Sequence, residues 1–512
     1  MKGFMELLTE INSKVNDFVW VKVGLILLIG TGILMTVSTR VFQISHLKHW
    51  WTKTIVSVFK KDGRKNKDKD KGAVSQFQAL CTALAATIGT GNIAGVAAAI
   101  VVGGPGAVFW MWVMAFLGMM TNFSENVLGI YYRRRNKQGE WSGGPMYYLK
   151  DGLGKKKGCK GIGKVLAVLF SIFAMLASFG IGNLGQVNKI VINIESAFFA
   201  NVNAPKVVGD ASLVALIIGL VLMVIAALIV LGGLQRIAAV AERVVPFMAI
   251  AYVIGCLAVF FMNIDQAGAV FTSIFKFAFG VKAVGGAAVG ITLKTVITQG
   301  CKRGAFSNEA GLGSSVMVHS NSDVKEPVKQ GMWGIFEVFA DTMVVCTMTA
   351  FVVLSSGYID LETGLAVEGA NDATLVAQAF GNVFGKPGEW FVAIAVLLFA
   401  FTTVLGWSHY GSKAVEYLFG VGAVKVYKVI FVLLVVSGAL MTSSIAWDIS
   451  DTFNGLMMMP NLIGVVVLSP IVVKIVRNYV DRKIKGKDVT PVLSYDEEVQ
   501  KIMEEAVRNG EE

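Results

Sequence analysis

The 512-residue chain has little charge: Asp, Glu, Lys and Arg make up 16% of it, against 54% hydrophobic residues and a mean hydropathy of +0.63. A soluble domain carries about 25% charge, so this surface could not hold so much apolar mass in water. Intrinsic disorder needs the opposite balance and is excluded too. Length alone suggests about three soluble domains; composition makes the bilayer the solvent instead. Cysteine is scarce, with Cys81, Cys159, Cys256, Cys301 and Cys346 scattered and forming no CxxC pair, so no zinc site or disulfide framework is readable. The four histidines (His46, His49, His319, His409) fall in expected loops or at span ends, with no nucleophile–base set, which argues against a membrane enzyme. Met1–Asn16 is polar and the first apolar run begins near Phe18, so no cleavable signal peptide is expected.

What is present is a ladder of long apolar runs. A helix needs roughly 20 mostly apolar residues to cross the hydrocarbon layer. Eleven runs meet that length: 18–38, 78–102, 107–132, 165–199, 212–232, 243–262, 284–301, 332–356, 389–408, 427–446 and 455–476. The second is rich in Gly, Ala and Thr, and the seventh is short and contains Lys294. Grouping the intervening loops alternately puts 37 of the 46 Lys and Arg on one side, in 39–77, 133–164, 233–243, 302–330, 409–428 and 474–512. By the positive-inside rule the N-terminus is then outside and the C-terminus cytoplasmic, in a multi-pass protein of the plasma (inner) membrane. The net charge of +11 follows from this threading. The basic run Lys60–Lys71 reads as a solvated cytoplasmic loop near lipid headgroups, and no nucleic-acid partner is expected.

Ten spans after the first divide into two sets of five. This gives four segments: 1–74 with the extra helix and basic loop, 75–265 and 266–480 as the two repeats, and 481–512 as a charged cytoplasmic tail. Because five is odd, the repeats run in opposite directions. Each opens on a glycine-interrupted stretch, Thr87-Ile88-Gly89-Thr90-Gly91-Asn92 and Gly285-Gly286-Ala287-Ala288-Val289-Gly290. Interrupted helices at matching positions of inverted halves point to the midplane site of a transporter. Small residues also permit close helix packing. Consecutive Gly89, Thr90, Gly91 and Asn92 cover every face of a helix, however, as local unwinding requires.

The stretch Gly103-Gly104-Pro105-Gly106-Ala107-Val108-Phe109-Trp110-Met111-Trp112-Val113 resembles the signature of the alanine/glycine:cation symporter family, also called sodium:alanine symporters. Ser307-Asn308-Glu309-Ala310-Gly311-Leu312-Gly313-Ser314 is similar to that family's SNEAGLGS stretch, held to be cytoplasmic. Gly143–Tyr148 (GGPMYY) and Phe339-Ala340-Asp341-Thr342 also look like family blocks. The resemblance implies an all-α polytopic membrane protein with a LeuT-like 5+5 inverted repeat (APC superfamily), preceded by one extra helix. It also implies sodium-coupled symport of a small neutral amino acid, alanine or glycine, with sodium as coupling ion and no organic cofactor.

On this reading the N–H groups of Gly89, Thr90 and Gly91 receive the substrate carboxylate. Carbonyls freed around Gly285, Gly286 and Gly290 receive the ammonium, and Asn92 orders the first break or touches substrate. Gln186 and Asn183 are amides within an apolar run, where unsatisfied polar groups are costly; either they face the substrate or they bond between helices. Phe179 is expected to close over the substrate and Trp407 to line the pocket. Matching Gly89–Asn92 to the fold's Gly-x-Gly-Asn places sodium on the Ala85, Ile88 and Phe399 carbonyls and the Thr402 and Thr403 hydroxyls. Glu125, Lys189, Glu195, Lys294, Glu337 and Asp341 are intramembrane charges with possible roles. Glu309 is expected in a cytoplasmic gate or turn. Competing readings are proton coupling through Lys294 or Asp341, and a channel.

Overall fold

The computed structural model describes residues 2–59, 72–279, 292–367, 369–370, 374–441 and 445–509. Among them nine helices are long and apolar enough to cross a membrane: α1 (Thr9–Ser38), α4 (Gly106–Tyr131), α5 (Lys160–Phe198), α6 (Leu213–Val230), α7 (Gly233–Met262), α11 (Pro327–Leu354), α13 (Lys386–Phe419), α14 (Val421–Ala439) and α15 (Asp448–Lys483). A tenth span is the bent pair α2 (Gln76–Thr87) and α3 (Gly91–Gly103), which meet at 54°. Large apolar side chains stand exposed along α1, α6, α7 and α14, including Ile26, Leu228, Phe247 and Leu433, as lipid-facing surfaces require. The remaining elements include α8 (Ala267–Phe277), α9 (Leu293–Asn308), α10 (Val316–His319), α12 (Leu375–Phe384), α16 (Glu497–Arg508) and two short β-ribbons, Arg134–Arg135 with Trp141–Ser142 and Lys206–Val208 with Ala211–Ser212.

The expected eleventh span falls on α9, a helix of 16 residues that is continued by α10 and is too short to count as a crossing by itself. It lies along α4 in parallel. A Cβ on Gly300 would stand 2.4 Å from the Ala107 carbonyl oxygen, one on Gly304 3.3 Å from Met111, and one on Gly118 3.0 Å from the Ala310 Cβ. Residues 309–315 interrupt it, because Glu309 (φ +55°), Gly311 (φ +89°) and Gly313 (φ +76°) all take left-handed backbone that ends an α-helix. This break lies some twenty residues beyond the expected one; Gly285, Gly286 and Gly290 lie outside the described residues. The SNEAGLGS stretch is therefore packed inside the protein. Residues 307–315 are all buried in the bundle.

The first signature has a local cause as well. Gly104 ends α3 at φ +69°, and Pro105 starts α4, whose first turn needs no N–H from it. Ser75 and Gln78 form a reciprocal cap on α2, each side chain bonding the other's main-chain N–H at 3.1 Å.

One loop grouping is corrected. Lys302 and Arg303 do not belong with the basic loops. Lys302 donates to Asp451 at 2.6 Å, and Asp451 also accepts from Asn16 at 3.0 Å, so these residues share the end of the bundle that carries the start of α1. At the opposite end the two broken spans are clasped together. Val74 N–H donates to the Asn321 carbonyl at 3.1 Å, and Asp323 N–H donates to the Val74 carbonyl at 2.9 Å. Arg133, buried and stacked on Trp141, donates to the carbonyls of Ser320, Ser322 and Val324.

Candidate functional site

The first break supplies the floor of the site. α2 stops at Ile88, whose ψ of +86° turns the chain out of helical register. Two freed N–H groups find side-chain amide oxygens: Gly89 donates to Asn92 Oδ1 at 2.9 Å and Thr90 to Gln186 Oε1 at 3.2 Å. These oxygens occupy positions that the oxygens of a carboxylate would satisfy equally well. Gln186 also donates to the Ile181 carbonyl at 3.2 Å.

A small cavity opens beside this break, lined by Gly89, Gly91, Gln186, Phe306, Glu309, Thr403 and Trp407 among others. Its open space of about 20 Å³ has room for about one water, so any larger occupant displaces lining side chains. A second cavity of about 40 Å³ shares Gly91 and Phe306 with it and reaches Lys189 and Arg303. Those two in turn line a polar vestibule of about 940 Å³ that includes Asn16, Glu195, Lys302, Asp448 and Asp451. Phe306 thus stands between the two small cavities, with the Arg303 guanidinium 6.0 Å above its ring.

Four of the five sequence-derived sodium positions converge on one spot. Thr403 Oγ1 lies 3.1 Å from the Ala85 carbonyl oxygen and 3.0 Å from that of Phe399; Thr402 Oγ1 lies 3.0 Å from the Phe399 oxygen. The spot is made of neutral oxygens, the donor set that a hard monovalent cation accepts without added protein charge. Ile88 is buried at the break beside them. Among the described residues no group of three or more His, Cys, Asp or Glu could hold a metal ion. Gly89 is packed against this spot: a Cβ there would stand 2.4 Å from Thr403 Oγ1.

Two expected substrate contacts are directed elsewhere. Phe179 stacks with Tyr427 and Phe431, at centroid distances of 5.1 and 6.3 Å, and does not line the cavity. Asn183 donates to the Phe431 carbonyl at 2.6 Å, the interhelical role of an amide in an apolar span. Lys294 is exposed at the start of α9. Glu309, expected in a gate or turn, stands in the turn that ends α9 and also lines the small cavity, 3% exposed, accepting from Ser314 Oγ at 2.5 Å. His319 closes α10, at a helix end as expected, and is fully buried, 2.9 Å from Glu337, with Gln330 on its other ring nitrogen at 2.6 Å. Glu125 accepts from Asn461 and from the Gly311 N–H, so it braces the second break from behind.

A sequence profile of the sodium:alanine symporter family matches residues 5–493. The chain belongs to this family. Within it, the chain is 41% identical over 470 residues to the sodium/alanine symporter AgcS of Methanococcus maripaludis, covering 92% of this chain and 96% of that one. It is 34% identical to the probable sodium/glutamine symporter GlnT of Bacillus subtilis, covering 94% and 93%. Among solved structures it is similar to MhsT in complex with L-phenylalanine (TM-score 0.52, 14% identity, 79% of this chain and 98% of that one). A Na+-coupled sialic acid symporter is also similar (TM-score 0.51, 12% identity, 96% of each). These identities are low enough that the structural likeness speaks for the shared LeuT-like fold only. As a member of the family, the chain is a multi-pass membrane transport protein, and its second break coincides with the family's SNEAGLGS block.

Proposed function

We propose that the chain is a secondary transporter that carries alanine or glycine into the cell with sodium by alternating access. The observation that carries this reading is the junction at the first break. The neutral oxygen cluster of Ala85, Phe399, Thr402 and Thr403 shares Thr403 with the lining of the small cavity, and Gly89 of that lining packs against the same hydroxyl, so an ion there and a solute beside it would meet at one residue. The ion is held by the Ala85, Ile88 and Phe399 carbonyls and the two hydroxyls. The substrate carboxylate meets the N–H groups of Gly89, Thr90 and Gly91, taking the place of the Gln186 oxygen. The ammonium is received by Glu309 across the cavity, with Trp407 and Phe306 enclosing the side chain. Gly91 lies so close to Phe306, 3.3 Å from a built Cβ, that a methyl or hydrogen side chain is favoured. The names borne by AgcS and GlnT support sodium coupling and an amino-acid substrate. The vestibule is the extracellular entrance, which puts the start of α1 outside and α16 in the cytoplasm.

Purified protein in liposomes is expected to accumulate labelled alanine only under an inward sodium gradient, with unlabelled glycine competing. Equal uptake in potassium would overturn the proposal. Proton coupling through Asp341 has one observation in its favour, its complete burial. On that alternative, alanine accumulation follows a pH gradient without sodium and survives Thr403→Ala.

A further inference from the structure

Both breaks are finished by the same device. In the first, Asn92 Oδ1 accepts the Gly89 N–H at 2.9 Å; in the second, Asn308 Oδ1 accepts the Ala310 N–H at 3.0 Å. The other end of each amide turns toward α11. Asn92 Nδ2 donates to Asp341 Oδ1 at 2.6 Å. Asn308 Nδ2 donates to Thr342 Oγ1 at 3.0 Å, and that hydroxyl passes its own hydrogen to Asp341 Oδ2 at 2.8 Å. Ser307, adjacent to Asn308, donates to the same oxygen at 2.7 Å. One carboxylate thus holds a lead into each break, one per oxygen.

The backbone explains how neighbouring residues 341 and 342 serve both. Phe339–Cys346 is wound as a wide π-turn inside α11, a local distortion that recurs at functional sites. Asn92, Asn308, Asp341 and Thr342 have no exposed surface at all, and Ser307 is 1% exposed, so the chain of bonds runs in a low dielectric where each is strong. Cys346 Sγ lies beside the carboxylate, 3.4 Å from Asn92 Nδ2 and 3.2 Å from Ser307 Oγ, but as a weak acceptor it adds little to the charged link.

We propose that Asp341 is the positioning residue that transmits sodium binding at the first break to the ammonium half-site at the second; this rests on the site assignment above. Sodium on the Ala85 and Ile88 carbonyls fixes Gly89, and the Gly89 N–H fixes Asn92. Asn92 then loads Asp341, which through Thr342 and Asn308 sets the Ala310 N–H next to Glu309. The linkage is reciprocal, so alanine at the second break tightens sodium at the first. Asp341 contacts neither ligand in this scheme.

The test is alanine binding to the purified full-length protein, measured at saturating sodium chloride and in choline chloride. In the unaltered protein sodium is expected to tighten alanine roughly tenfold or more, within the usual range of coupling between sites. Asp341→Asn keeps the volume but replaces one acceptor oxygen by a donor, and Thr342→Val cuts the lead through Asn308 while leaving the Ser307 bond. Asp341→Asn is expected to bring the ratio to within about threefold of unity and Thr342→Val to lower it part of the way, while sodium alone still raises the thermal transition of the protein. A ratio unchanged in both variants overturns the proposal. So does a ratio that persists while the pH dependence of uptake vanishes, which would make Asp341 a proton carrier. Absence of saturable alanine binding in the unaltered protein overturns the site assignment and this inference together.

Discussion

Thr403→Ala is expected to raise the sodium concentration for half-maximal alanine uptake roughly 10- to 100-fold, as loss of a bond to a charged partner costs about 1.5–3 kcal/mol. The hydroxyl is one of the proposed ion's five oxygens and lies within 3.1 Å of both the Ala85 and Phe399 carbonyl oxygens. Thr402→Ala should cost less, because its hydroxyl also turns back to the Leu398 carbonyl at 2.9 Å. Gly89→Ala should imitate Thr403→Ala from the other side, since the added Cβ would stand 2.4 Å from the same hydroxyl and displace it. The two changes act on one contact, so the double variant should be no worse than the more damaged single one. Uptake measured against sodium concentration in the two singles and the double checks this. Full additivity would mean that Gly89 and Thr403 serve different steps, and unchanged sodium dependence in Thr403→Ala would remove the ion from this place.

Glu309→Gln is expected to weaken alanine binding by about two orders of magnitude or more, since breaking a buried charged pair costs about 2–5 kcal/mol. The glutamine keeps an oxygen for Ser314, so the turn at 309–315 retains its internal bond. What it loses is the negative charge opposite the ammonium. The comparison that isolates this is an analogue with a hydroxyl in place of the amine. It should bind the unaltered protein poorly and be little affected by the substitution. Equilibrium binding of both compounds at fixed sodium decides the matter, and alanine affinity kept within threefold would exclude Glu309 from the ammonium site.

Much of the architecture was legible because the bilayer imposes simple rules on sequence. Apolar length, alternation of basic loops and a run of small polar residues at 89–92 each have one physical meaning in that solvent. The break at 309–315 was not read as one, for an equally physical reason. α9 carries Lys294, Lys302 and Arg303, so a hydropathy ruler ends the span at 301, although the two latter charges sit at the vestibule where water and Asp451 receive them. The signal that would have located the break is the spacing of Glu309, Gly311 and Gly313, the pattern of a chain that repeatedly leaves helical backbone. Phe179 and Asn183 show the converse: their residue types suit a pocket, but a one-dimensional reading does not give the direction of a side chain on a helix whose neighbours are unknown. Gln186, on the same helix, does reach the site through the Thr90 N–H.

The clasp between Val74 and residues 321–323, locked by Arg133, has a kinetic meaning. It joins the two interrupted spans at the end away from the vestibule and touches neither the ion nor the solute cluster. Parting it returns a handful of main-chain bonds to water, each worth about 0.5–1.5 kcal/mol, and strips a buried guanidinium of three carbonyls. On the proposed transport cycle, recognition would thereby be separated in space from release: the two breaks would set how tightly the cargo is held, and this knot of backbone how often it is let go.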